Sequence, residues 1–547
     1  MAEEPQHHHL FQDAKDAQHQ RDSEALAKFG YKQELSRSLG VFSTFAIAFS
    51  FISATNGFYA LFYFGLDTGG PAALIWSWPL VVFGQFMVAL VFAEAASHYP
   101  LAGGVYQWAK RFMGGSFGWF TAWMFAAALV VTVAAIAFGV APIVCAVAGW
   151  NANNTTTLFW IAVAFTVGPM LVNVYSVKVT AFFNNIGTVT EIVGLVVIAI
   201  ALYIVVAVGH GPHQGISVLF NQGGTAVGHA WGYGGAFLAS MLTAAWVLYG
   251  FDAAGGLAEE TVNPTKAVPR AMLAAVGITA VISMFWLIAM VLAIPDVAKT
   301  QQQGTNAIAY IFAAHFPSWV TKAFLISVCV AIFVCCLAVQ AATTRLLFAF
   351  GRDKMIPASR FFGFVHPKTK TPMLSALFIG AATIGILVYV NTSSNPGLSI
   401  ARVTAWATAG TYIAYQMVVF GGLVARAKGW PRARAGFNLG RLGWPINLVA
   451  LIYGVFMIIN LAWPRTPGAA WYDNYIVAFS AALVLALGIV VYFIQRARGI
   501  DVGATIHEIE IEEYPQAIAA SAGAGAAQAA EADAAAPRPL TGSEGQD

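Results

Sequence analysis

Long apolar runs separated by short polar stretches dominate the chain. Measured against the roughly 20 apolar residues that cross a bilayer core as a helix, they predict twelve spanning segments. These are 39–64, 71–97, 116–149, 157–175, 180–208, 235–258, 271–294, 318–350, 373–390, 403–425, 445–463 and 473–495. A polar tail, 1–38, precedes them without the apolar core of a cleavable signal, so the first segment is expected to serve as the targeting signal. After them comes an acidic stretch (Glu508, Glu510, Glu512, Glu513) and an alanine-rich tail, and 496–547 is read as disordered. The pattern predicts an all-α membrane protein.

Two segments carry residues that fit poorly in a continuous lipid-facing helix. In the first, Ser53, Ala54, Thr55, Asn56 and Gly57 place polar and small residues near the middle of the membrane. In the sixth, Gly250 and the pair Gly255-Gly256 flank an intramembrane Asp252. Non-helical backbone at that depth is tolerated only where it lines a cavity or is packed in protein. Breaks at matching places in two halves point to a substrate site at the midplane.

Composition agrees and narrows the function. Of 547 residues, 59% are hydrophobic and 10% charged, where a soluble domain carries about 25% charged residues. With a mean hydropathy of +0.69, a soluble enzyme, a disulfide scaffold and a nucleic-acid-binding module are all excluded. The net charge of +3 matters less than its placement. Of the 28 Lys and Arg, all but Lys299, Lys322, Arg402 and Arg465 fall on one side of the predicted topology. By the positive-inside rule both termini are cytoplasmic. The run His7-His8-His9 has no Cys or second His pair near it and reads as solvated tail rather than a metal site. Cys145, Cys329, Cys335 and Cys336 lie in apolar runs, so no structural disulfide, metal or cofactor is expected.

Two loop motifs carry a family resemblance. Glu94, then Pro100-Leu101-Ala102-Gly103-Gly104-Val105-Tyr106, resembles the E-(x5)-P-x-x-GG-x-Y signature of the amino acid–polyamine–organocation permeases. Glu259-Glu260-Thr261-Val262-Asn263-Pro264, followed by Val268-Pro269-Arg270, resembles their EE-x-x-NP-x-x-x-VP-[RK] loop. The resemblance covers about residues 36–500 and is greatest to the amino acid/choline branch, which includes GABA and choline carriers. It implies a leucine-transporter-like 5+5 inverted repeat, 39–208 and 235–425, with two further helices at 445–495, performing secondary transport in a plasma membrane. By the same resemblance Thr55-Asn56-Gly57 takes the place of a glycine-rich break that cradles a carboxylate, and the carbonyls of Leu248–Phe251 receive an amino group. Trp246 aligns with a substrate-covering Trp of the arginine/agmatine exchanger, with Tyr249 and Phe251 either lining the pocket or packing as core. Cys335, Cys336 and Thr343 on the eighth segment are implied neighbours of an ion position.

Three ionisable residues are counted inside the membrane: Glu94, Glu191 and Asp252. Each is costly there and is a functional candidate by default. Glu94 is expected to tie down its loop. Glu191 stands where several relatives place a lysine. It either binds and releases a coupling proton, or stays protonated against a neighbour such as Asn184, Asn185 or Thr190. Asp252 either gates or faces a substrate ammonium. The expected function is import of an amino acid or GABA-like amine by proton symport. The alternative is an exchanger or a polyamine/choline carrier. No HExxH, protease-type aspartate pair, filter motif or P-loop supports an enzyme, a channel or an ATP-driven pump. Oligomeric state is open.

Overall fold

The computed structural model describes residues 4–152, 154–227, 231–392, 396–465, 470–498 and Ile500. The predicted C-terminal tail therefore lies outside the described residues, as do the side chains of His7-His8-His9. Among the described residues the chain is helical with no strand, and Leu39 pairs with Thr261 in a single bridge.

The main helices are α1 (Glu4–Ala27), α2 (Val41–Ile52), α3 (Ala54–His98), α4 (Gly104–Met113), α5 (Gly115–Gly139), α6 (Thr155–Tyr175) and α7 (Val177–Val208). Then follow α8 (Tyr233–Val247), α9 (Pro264–Leu292), α10 (Ser318–Arg352), α11 (Met373–Thr392), α12 (Pro396–Ala427), α13 (Gly443–Ala462) and α14 (Ile476–Ala497). Ten stretches among the described residues are long and apolar enough to cross a membrane, against the twelve segments predicted. The difference has two physical causes. The first two segments form one stretch, Val41–His98, because the polypeptide turns at Gly70 without leaving helix on either side. Gly70 sits at φ 70°, with Pro71 next in the chain, and a Cβ there would run into the Gln222 carbonyl. The sixth segment is short of a full span because its helix stops at Val247.

Both breaks lie against each other. Helix α3 packs on α8 and α9, while α2 packs on α7 and α9. A Cβ on Gly57, in the first turn of α3, would fall on the side chain of Val247, the last residue of α8. The glycine lets the two interrupted helices touch at the level where both lose their backbone hydrogen bonds.

Residues 22–38, part of the predicted polar tail, pack together with Leu39 against the body. Leu26, Phe29, Tyr31, Leu35 and Leu39 are buried. Ser38 and Leu39 donate backbone N–H groups to the Glu260 carbonyl at 2.9 and 2.8 Å, and Val262 N–H returns to the Leu39 carbonyl at 2.9 Å. Asp22 accepts the Asn263 N–H at 2.9 Å and lies 3.8 Å from Arg37. Asp22→Ala is expected to leave a partly buried N–H unpaired. The cost is about 1–3 kcal/mol, read as a lower unfolding temperature and faster tryptic cleavage after Arg37.

Candidate substrate site at the paired helix breaks

The first break is one residue wide. Ser53 adopts φ 34°, ψ 88°, ends α2 and caps α3, its Oγ accepting the Asn56 N–H at 3.2 Å. A left-handed residue that is not glycine costs about 1–2 kcal/mol; here the break is fixed by a tether from another helix. Glu191 of α7 places Oε1 3.0 Å from Ser53 Oγ and 2.9 Å from the Thr55 backbone nitrogen, and both donate to it. The carboxyl is buried, and no ion pair to it exists among the described residues. It therefore occupies the positive end of the half-helix that begins at Ala54. Neither Asn184 nor Asn185 supplies the neighbour expected for it: they bond to the Thr180 carbonyl and to Ser43.

Around this break α7 and α10 add further polar contacts. Ser50 and Thr188 hydroxyls lie 3.0 Å apart, and Cys335 Sγ donates to the Phe51 carbonyl at 3.4 Å. Thr343 stands two turns further along α10, and its hydroxyl bonds back to the Val339 carbonyl at 2.7 Å. Of the residues expected near the ion position, the structure brings Cys335 to the break; Thr343 serves its own helix.

The second break runs from Leu248 to Asp252. Gly250 holds φ 104°, and its N–H donates to the Tyr415 hydroxyl of α12 at 3.0 Å. Tyr415 in turn donates to Asp252. Asp252 is thus engaged with Tyr415 and buried. Tyr249 bridges the breaks: its ring meets Phe51 edge-on at 6.2 Å and Trp246 at 5.7 Å, and its hydroxyl lies 3.3 Å from Thr132 of α5. Phe251 packs edge-on against Phe92 at 5.8 Å and beside Tyr415 at 5.4 Å, which is a core position. The indole N–H of Trp246 is buried without a hydrogen-bond partner among the described residues. A buried N–H left unpaired costs about 1–3 kcal/mol, so this indole is a donor in reserve at the junction of the breaks.

The two loop motifs meet at one end of the bundle. Gly103 N–H donates to the Gly256 carbonyl at 3.3 Å, and Ala102 N–H to Glu259 at 2.9 Å. Gly104 lies so close to Gly255-Gly256 that a Cβ would stand 3.1 Å from the Gly256 nitrogen. Tyr106 donates to Asp353 at 2.8 Å. Pro100 and Pro269 are buried; Arg270 is exposed. Glu94 pairs with Arg426 and accepts the Leu439 N–H at 2.8 Å, which ties down the loop after α12.

Four partners of these motifs do not stand out in the sequence. Arg345 grips Glu260 with two hydrogen bonds, Arg352 grips Glu259, and Lys110 reaches Asp353 at 2.8 Å. Burial makes the Lys110 ammonium easier to deprotonate than usual, and Asp353 opposes that. Arg345 lies inside the segment predicted at 318–350, so the expected count of three intramembrane charges is too low. A buried cation there demands a carboxylate, and the adjacent pair Glu259-Glu260 is the signal the sequence offers for it.

The profile of the amino acid permease family matches residues 39–492, from the start of the first predicted segment almost to the end of the last. The chain belongs to the amino acid permease family. The match extends to curated permeases along most of their length. The amino-acid permease BAT1 of Arabidopsis thaliana is 27% identical over 488 residues, covering 84% of this chain and 93% of that protein. A putative polyamine transporter of Candida albicans is 25% identical over 471 residues, 82% of each chain. The GABA-specific permease of Saccharomyces cerevisiae is 25% identical over 462 residues, 81% of this chain and 78% of that protein. This permease is accordingly a multi-pass membrane transporter and not an enzyme, and its substrate is a small molecule.

Proposed function

We propose that this permease imports an amino acid or GABA-like amine across a plasma membrane by proton symport, with both termini cytoplasmic. The observation that carries the reading is the position of Glu191, a buried carboxyl without a cationic partner among the described residues, bonded directly to the break in the first span. A zwitterion needs donors for its carboxylate and acceptors for its ammonium. The two interrupted helices offer both as backbone groups, without fixed charges. Segments 39–208 and 235–425 would act as two halves that rock about this site, with 445–495 outside them. Thr55, Asn56 and Gly57 line one side of the pocket, and Trp246, Tyr249 and Gly250 the other. Asp252, held by Tyr415, acts on the geometry of the second break rather than on the substrate.

The test is uptake into proteoliposomes, with and without an inward proton gradient, across GABA, neutral and basic amino acids, choline and putrescine. Accumulation of one amino acid above its equilibrium level, only with the gradient, is the expected result. Glu191→Gln should then abolish accumulation while leaving counterflow. Uptake that ignores the gradient and follows internal substrate would make the protein an exchanger. Preference for putrescine or choline would favour the carrier alternative, suggested by the polyamine relative.

A further inference from the structure

We propose that Glu191 is an internal stand-in for the substrate carboxylate, and that protonation couples to transport by handing its hydrogen-bond donors to the substrate. The inference rests on the amino acid symport reading above and specifies how proton and substrate depend on each other.

Glu191 takes the two donors that define the first break, the Ser53 hydroxyl at 3.0 Å and the Thr55 N–H at 2.9 Å. Ser53 Oγ is in addition the cap that accepts the Asn56 N–H. With Glu191 ionised, the end of α3 is satisfied by a protein carboxylate, and a second carboxylate placed there would meet a like charge and find its donors taken. Hydrogen bonds to an ionised carboxylate are roughly twice as strong as those to a neutral acceptor. Adding the proton to Glu191 therefore weakens both bonds and removes the like charge in one step. The freed Thr55 N–H and Ser53 O–H can then take the substrate carboxylate. The proton enters from one side, stays on Glu191 while the substrate holds the donors, and leaves when the substrate departs and Glu191 docks again.

A second observation at the same junction also calls for a ligand. Trp246 is 5% exposed, and its indole N–H is buried without a partner among the described residues. Its ring touches Tyr249, which touches Phe51 two residues before the break. The groups facing Glu191 cannot replace the proton. From the break between α2 and α3 they are Ser53 and Thr55, while Thr188, one turn before Glu191 on α7, bonds to Ser50. From α10 the facing titratable group is the Cys335 thiol, whose proton is committed to the Phe51 carbonyl. No lysine, arginine or histidine is paired with Glu191 among the described residues.

Sharing the donors in this way makes proton and carboxylate binding cooperative and reciprocal. Binding of radiolabelled GABA to the purified full chain in nanodiscs is measured from pH 5 to 9, with putrescine as a carboxylate-free probe. Above the pH at which Glu191 ionises, GABA affinity should fall about tenfold per pH unit, as one linked proton requires, while putrescine shows no such slope. Glu191→Gln cannot ionise, and it should bind GABA with a flat pH profile at the wild-type low-pH affinity. Ser53→Ala removes one donor from the ionised carboxyl and should move the pH of half-maximal GABA binding upward, without needing Glu191→Gln to fold. Two results would overturn the inference while leaving symport standing. One is GABA affinity independent of pH although uptake needs the proton gradient. The other is Glu191→Gln that unfolds at the wild-type temperature yet binds no GABA. If the wild type neither binds nor carries any carboxylate-bearing compound in the panel, the amino acid reading falls and takes this inference with it.

Discussion

Replacing Arg345 with alanine is expected to remove most of the folded permease from the membrane. Its side chain is fully buried, and Nε and Nη2 donate to the two oxygens of Glu260 at 3.1 and 2.9 Å. Nη1 is further directed at the Ala341 carbonyl at 3.4 Å. Deleting one member of such a pair leaves a buried carboxylate without its counter-charge, which costs about 3–5 kcal/mol. Glu259 next in the chain adds like-charge repulsion, and its own partner, Arg352, already commits both Nη1 and Nη2 to it. Against a total stability of about 5–15 kcal/mol for a folded domain, that loss is severe. The measurement is the monodisperse fraction and unfolding temperature of the detergent-solubilised protein. Arg345→Met combined with Glu260→Leu should recover much of the loss, because an apolar pair of similar volume is often neutral where half an ion pair is not. A single variant within about 0.5 kcal/mol of wild type, the range of an ordinary surface substitution, would show that water or another cation reaches Glu260.

Gly250→Ala should come second in severity and strike transport rather than abundance. Two independent costs meet at this position. A φ of 104° is a region that side chains rarely adopt, worth about 1–3 kcal/mol. A Cβ would also overlap the Phe51 ring, and overpacking of that kind costs about 1–3 kcal/mol. Phe51 cannot simply step aside, because its carbonyl receives the Cys335 thiol and Ser53 lies two residues on. Strain at one break is thereby delivered to the other. Uptake should fall at least about a hundredfold, the equivalent of about 3 kcal/mol. Adding Phe51→Leu relieves the overlap but not the backbone, so recovery should be partial. Gly256 is the control: apart from its own neighbours in the chain nothing stands within 4 Å of its Cβ position, and Gly256→Ala should transport nearly normally.

The two breaks were legible in the sequence because lipid forbids what they contain. Ser, Thr, Asn and paired Gly clustered inside an apolar run would leave polar groups unsatisfied in a helix facing hydrocarbon, so they mark a cavity or a packed surface. Glu191 stood out for the same reason, a single carboxyl with nothing charged beside it. Partners were less legible than residues. The resemblance implies Thr343 as a neighbour of the ion position, yet a threonine inside a helix can satisfy itself on the carbonyl four residues back, as this one does. In the sequence Asp252 reads as a gate or a substrate contact, because Tyr415, its partner, lies 163 residues away. The tail misled for a compositional reason. Residues 22–39 are polar on average, and their burial depends on a few spaced side chains, Leu26, Phe29, Tyr31, Leu35 and Leu39, that fit a surface built by later parts of the chain.

That dependence sets an order of events during synthesis. The segment that carries Asp22, Tyr31 and Leu39 leaves the ribosome ahead of its partners, which are Asn263, Glu260 and Asp353. The full set of native contacts between the leading segment and those residues cannot form until the tenth main helix has been made. Docking of residues 22–39 therefore cannot be completed until more than half of the spanning helices have been made. Closing that face thus waits for α10 but not for the four main helices after it, and a chain stalled before Asp353 would lack the Tyr31 contact and leave this segment more open to protease.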